Sequence, residues 1–328
     1  MKIKIFSIIV CVAMLAGCRQ ADEIDNMSEE LLVSIEASIG NMQMSRYASS
    51  DDSPNNLSFI VNDEIGLFVH DRSVVKWTLE DDGWKPTTSS HWPNKDGAFW
   101  FYAYYPYDEA TSKGSVKMPS LAGQKGSIES LSACDFLVAS TEETYVSEED
   151  DGIDGQVSFT GSASFEHVSS LVAITIKGDC DLKTSTIQQI SFSAPDIASG
   201  TTYSFSDKTT TVVGDKKSNK MESEVLNFEM ENVDKTFYFI LNNGIAFSDI
   251  TFSIKYSTNG IKYNAEKVGL GEEGKLERGK RYNFSLNISD GILTVSGGEI
   301  QNWGDGTQMD DIEINNPIVD NNQADENA

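Results

Sequence analysis

Phe252-Ser253-Ile254-Lys255-Tyr256-Ser257-Thr258-Asn259-Gly260-Ile261-Lys262-Tyr263-Asn264-Ala265 has apolar side chains at alternate positions up to Asn259-Gly260 and again after it. Period two is the signature of a strand with one buried face, because successive side chains point to opposite sides. Asn and Gly tolerate the positive φ that a two-residue hairpin turn demands, so the stretch predicts two antiparallel strands.

The same pattern extends in both directions. Downstream, Tyr282, Phe284, Leu286 and Ile288 alternate, followed by Leu293 and Val295. Upstream come Phe237, Phe239 and Leu241, the run Val225 to Met230, Tyr203 and Phe205, and Ile190 and Phe192 before Pro195. Val172, Ile174 and Ile176 precede them, after Val157 and Phe159. In the first half, Leu31, Val33, Ile35, Ala37 and Ile39 keep strict period two. Asp63 to Val69 opens a strand after a turn, Val74 to Leu79 leads into Asp81-Asp82-Gly83, and Ala98 to Tyr105 is a markedly aromatic strand closed by Pro106. Helical periodicity is scarce. Short strands at regular spacing predict an all-β chain of two tandem β-sandwich domains. Their expected extents are 47–155 and 156–303, with the acidic, Gly-containing residues 142–155 as a loop at the boundary. Residues 304–328 form an acidic tail.

The N-terminus addresses the chain for export. Lys2 and Lys4 precede an apolar run from Ile5 to Met14, of signal-peptide length and too short to span a bilayer. Leu15-Ala16-Gly17-Cys18 follows, and it resembles the bacterial lipobox, which makes 1–17 a signal peptide and Cys18 the lipidated first residue of the mature protein. Several acyl chains on one cysteine would hold the protein to a membrane. The formal charge is -26, and loss of residues 1–17 removes two lysines and no acids, giving -28. So acidic a surface repels phosphate backbones, which argues against nucleic acid as a partner. Cys134 and Cys180 remain after export, both beside apolar residues in expected strands.

Catalytic chemistry leaves no mark on the sequence. The three histidines, His70, His91 and His167, have no metal-ligand spacing, and no nucleophile elbow, zinc-protease helix or phosphate loop occurs. No enzyme activity, cofactor or metal is expected. Trp92 with Phe99 to Tyr105 admits a sugar-stacking platform or a sandwich core. Exposure of Trp92, Trp100 and Tyr104 on one face would favour the first, and their burial the second.

Four segments resemble the fimbrillin family, the two-domain lipoprotein subunits of type V pili. These are Asp63-Glu64-Ile65-Gly66-Leu67-Phe68, Trp92-Pro93 with Phe101 to Tyr107, Phe165 to Leu171, and Leu276 to Phe284 with Gly298 to Trp303 as the ending. The resemblance implies Greek-key, transthyretin- or immunoglobulin-like sandwiches and a surface fimbrium anchored to the outer membrane through Cys18. It also implies proteolytic removal of the first strand and assembly with other pilus subunits by strand exchange. After Arg19 no lysine or arginine occurs until Arg46, so a cut between Arg46 and Tyr47 would release the lipidated segment 18–46 whole. Met309, Ile312 and Ile314 offer a short alternation as a candidate donor strand. A surface glycan-binding lipoprotein serving an outer-membrane transporter is the rival reading.

Overall fold

The computed structural model describes residues 31–40, 58–109, 112–147, 153–178, 182–214, 218–231, 233–270, 273–289, 292–302 and 323–324. These build an almost purely β protein. In the first half the strands are β1 (Ser34–Ala37), β2 (Glu64–Val69), β3 (Val75–Glu80), β4 (Gly83–Pro86), β5 (Ala98–Tyr105), β6 (Val116–Lys117), β7 (Leu137–Thr144), β8 (Gln156–Phe159) and β9 (Glu166–His167). One short helix, α1 (Ile128–Leu131), precedes β7. The second half contributes β10 (Ser170–Ile176), β11 (Thr186–Ser193), β12 (Thr201–Ser204), β13 (Thr209–Val212), β14 (Lys220–Glu222), β15 (Phe228–Glu229) and β16 (Lys235–Leu241). It closes with β17 (Thr251–Thr258), β18 (Ile261–Val268), β19 (Lys280–Ser289), β20 (Ile292–Asn302) and β21 (Gln323–Ala324).

A six-stranded sheet of order β4-β3-β2-β5-β7-β9 is the main layer of the first half. Its inner face carries Ile65, Leu67, Trp77, Phe101, Ala103 and Leu137, all buried. They pack in one cluster with Val33 and Ile39 flanking β1 and with Val157 and Phe159 of β8. β1 and β8 pair in parallel.

The second half is a sandwich of β16-β10-β19-β20 against β14-β11-β17-β18-β21, with β15 also on β11. Phe192, on β11, meets Phe239 and Phe252 at 5.5 and 5.4 Å between ring centres. The decisive hairpin forms as read. β17 and β18 pair from Thr251–Val268 to Thr258–Ile261, with Asn259 and Gly260 at φ 53° and 80°.

Several local expectations need correction. Glu142 to Thr144 belong to β7, paired with Ala98 to Trp100, rather than to a loop. The two adjacent acids, Glu142 and Glu143, sit at the less buried end of a strand whose core contacts come from Leu137 to Ala139. Of the run Val225 to Met230 only Phe228 and Glu229 form a strand, and Val225 is exposed. Cys134 sits in the turn after α1, buried and as a free thiol, while Cys180 lies outside the described residues. β8 bonds to β1, and β9 bonds to β7, so the hydrogen bonding of the first-half strands reaches His167.

A small sheet of order β13-β12-β6 joins the two halves. Tyr203 pairs with Val116, and Thr202 with Lys117. The sheet covers the outer face of the six-stranded one, where Phe68, Tyr104, Phe136 and Val138 meet Val116, Met118, Tyr203 and Phe205 in a second buried cluster. This explains aromatic residues on both faces of β5: each face has its own core.

Candidate functional site

The first strand has a well-defined seat. On one side the Ser34 amide donates to Gly155 O at 3.1 Å and Ser38 to Phe159 O at 3.0 Å. Phe165 N donates to Ser38 O, and Gly40 N to Phe165 O. On the other side Val33 N donates to Ser90 O, and Trp92 N to Leu31 O, both at 2.8 Å. Val33 and Ile39 are buried, and Leu31, Ile35 and Ala37 are half-buried against the same cluster. The segment 31–40 therefore behaves as a sandwich strand, saturating backbone groups and covering core together. Lifting it out would expose the amide of Trp92, several carbonyls and the rings beneath.

Gly155 is the tightest point of the seat. Its φ is +62°, and a Cβ there would stand 2.1 Å from Leu32 O. Its carbonyl also accepts from the buried Trp92 indole, Nε1 to O 2.9 Å. Nothing in the sequence pattern marks Gly155 apart from other loop glycines, so sequence reasoning missed it. The same holds for Ser90 as a neighbour of the first strand.

Each of the four sequence segments has a structural task. Gly66 pairs with Tyr104, whose ring lies so close that a Cβ on Gly66 would stand 2.3 Å from it. Tyr104 Oη donates to Asp108 O at 2.7 Å, so the glycine of the first segment makes room for the tyrosine of the second. In the third, Phe165 and Leu171 are buried, and His167 Nδ1 lies 2.9 Å from Asp135 Oδ1 with both side chains buried. In the fourth, buried Tyr282 closes the loop before it. Its hydroxyl accepts from Glu277 N at 2.8 Å and donates to Lys275 O at 2.9 Å, and burial pushes its pKa up to about 12.

The aromatic block does not form an exposed platform. Trp92 and Tyr104 are 2% and 0% exposed, whereas Trp100 is 41% exposed. Trp92 faces the inner core and Tyr104 the outer one, in clusters of different residues. Cys18, Arg46, Tyr47, Met309, Ile312 and Ile314 lie outside the described residues. Among the described residues no three acids, histidines or cysteines gather as a metal site.

A family model described as fimbrillin-like matches residues 53–303. The chain belongs to the fimbrillin-like family. The match spans all four segments and both halves. No curated protein sequence matches the chain. Among solved structures, a candidate cell adhesion protein from Bacteroides uniformis superposes with a TM-score of 0.57 at 17% identity, covering 83% of this chain and 99% of its own. A second candidate cell adhesion protein, from Bacteroides ovatus, gives 0.57 at 13% identity, over 83% and 98%. At such identities the likeness speaks for the fold. Fimbrillin-like membership makes this a fimbrial-type protein of the cell surface, in a family of structural proteins.

Proposed function

We propose that this fimbrillin-like protein is a pilus subunit, exported as a lipoprotein on Cys18, that joins its neighbours by β-strand addition and supports adhesion. The observation that carries the reading is the seat of residues 31–40. One extended segment supplies both the edge hydrogen bonds and the apolar cover of the first sandwich. A seat of that kind accepts any strand of matching alternation, which is the physical basis of strand exchange. Cleavage between Arg46 and Tyr47 would free the segment, and Met309, Ile312 and Ile314 of another copy would offer the replacement. The two sandwich units are proposed to meet at Val168 and Ser169, between β9 and β10. The transporter-linked glycan reading is set aside, since the exposed platform it required is absent.

The test is the N-terminus of the protein recovered from the cell surface, read by mass spectrometry. A chain beginning at Tyr47 is expected. A chain beginning at lipidated Cys18, in cells that carry assembled pili, would overturn the polymerising role.

A further inference from the structure

The second sandwich leaves one of its edges half closed. β16 borders its sheet, and its outward backbone groups can be followed one by one. Ile240 is served twice: its amide donates to Gln124 Oε1 and its carbonyl accepts from Gln124 Nε2, both at 2.7 Å. Tyr238 N donates to Gly126 O at 2.9 Å. Glu224 N, on the side of the facing sheet, donates to Gln124 O at 2.9 Å, so residues 124–126 stitch the two sheets together at this end. Outward groups recur at every second residue of an antiparallel edge, which makes Thr236 the next in line. Among the described residues nothing bonds to the Thr236 amide or carbonyl on that side.

Beside Thr236 a groove of about 510 Å³ opens, lined by Lys125, Ile128, Leu226, Phe228, Lys235 and Phe237. Phe237 is buried, with Phe228 edge-on to it at 5.8 Å, while Ile128, Leu226 and Phe228 are half-buried. The apolar part would take a branched aliphatic side chain, and the open edge would take the backbone that carries it. Lysines stand at the mouth. Lys235 is exposed, lies 5.2 Å from the centre of the Phe228 ring and makes no ion pair among the described residues. Lys125 reaches Glu224 only at 4.0 Å, with both side chains mostly exposed. Asp234, the carboxylate of the lining, is held by Lys177 Nζ and Gly178 N, each at 2.9 Å. The groove therefore suits an extended segment with aliphatic residues on one face and acids on the other. Gly304 to Ala328 contains no lysine or arginine, and within it Asp311 and Glu313 alternate with Ile312 and Ile314. In its own chain that tail is held on the far side of the sandwich: β20 ends at Asn302 and β21 pairs with β18, at the sheet edges opposite β16 and β15.

We propose that the open half of the β16 edge docks Met309 to Ile314 of a second copy, as a strand added at Thr236. The proposal rests on the donor character given to that segment above, and it needs no cleavage, since residues 31–40 keep their own seat. The test uses the uncleaved mature chain, 18–328 with Cys18→Ser, by sedimentation equilibrium from about 10 µM to about 1 mM and by hydrogen exchange at Thr236. Association is expected to grow with concentration and to weaken about tenfold between about 50 mM and about 500 mM salt. Protection of the Thr236 amide should rise at least about tenfold with association, while Tyr238, already bonded to Gly126, changes little. Deletion of residues 304–328 should remove both effects. Lys235→Glu, at an exposed position, should weaken association about tenfold at unchanged thermal midpoint, while Lys235→Arg keeps it. A chain monomeric throughout, association that survives loss of the tail, an unprotected Thr236, or indifference to Lys235→Glu would overturn the proposal. Protection of Thr236 independent of concentration would put the chain's own tail in the groove and overturn the second copy as occupant. A surface protein beginning at Cys18 would refute the polymerising role and leave each of these readouts unchanged.

Discussion

Gly155→Ala should loosen the first strand more than any other small change in its seat. A Cβ at this position would stand 2.1 Å from Leu32 O, and ordinary contact begins at 3.4 Å, so the strand must retreat by more than 1 Å. Three hydrogen bonds around that point, Ser34 N to Gly155 O, Val33 N to Ser90 O and Trp92 N to Leu31 O, span 2.8 to 3.1 Å and would not survive such a shift. At about 1 kcal/mol each they amount to roughly 3 kcal/mol. The left-handed backbone at φ +62° adds about 1 kcal/mol for any residue with a Cβ. Gly161 supplies the control: its φ is +56° with nothing within 4 Å of a Cβ, so Gly161→Ala should cost only the backbone part, about 1 kcal/mol. Urea denaturation gives the total difference, and native-state hydrogen exchange at Val33 and Ser34 localises it. Equal destabilisation by the two variants, or unchanged exchange at Val33 and Ser34 in Gly155→Ala, would refute the close approach as the cause. In a chain starting at Tyr47 the Leu32 carbonyl is gone, and Gly155→Ala should then cost no more than Gly161→Ala.

The Gly66–Tyr104 contact predicts a strong double-mutant coupling. Gly66→Ala should cost about 3 kcal/mol in the native background and under about 0.5 kcal/mol once Tyr104→Ala has emptied the space, as urea midpoints would show. Tyr282 predicts an alkaline loss of stability. Its pKa rises from 10.0 to about 12 on folding, so the folded state keeps a proton that the unfolded state releases, and stability falls as pH climbs between those values. Tyr282→Phe should remove this decline of about 2 kcal/mol, while costing about 1–2 kcal/mol at pH 7 through its two lost hydrogen bonds. Asn259→Val should lower stability by about 1–2 kcal/mol, because a β-branched residue resists the positive φ of the β17–β18 turn, and the thermal midpoint would report it.

What the sequence made legible was local. Alternation located β5 from Ala98 to Tyr105, the β17–β18 hairpin and the β19 stripe, because burial of one face leaves a mark every second residue. It failed at β7, where Glu142 and Glu143 give an acidic reading although the backbone continues the ladder to Thr144. It could not show that β5 has a core on each side, since Tyr203 and Phe205, which cover its outer face together with Val116 and Met118, lie about a hundred residues away in sequence. The seat of the first strand was half legible. Leu31 to Ile39 announced a strand, but its neighbours, Ser90 to Trp92 and Gly155 to Phe159, carry no pairing signal, because register between distant segments is set by packing. His167 read as structural, and its position beside buried Asp135 accords with that, yet nothing singled out Asp135 itself.

The parallel seating of β1 against β8 has a mechanical consequence. Hydrogen bonds between parallel strands are slanted but evenly spaced along the pair, so tension applied along the strand axis is shared by the whole row. Peeling from one end would instead break the bonds in turn, each at small force. Any strand held in this seat and pulled lengthwise therefore resists through the collective strength of the row, together with the friction of its buried side chains. A filament jointed in this way would be soft to bending at its links and stiff to stretching, which suits a fibre that must hold a cell in flowing liquid.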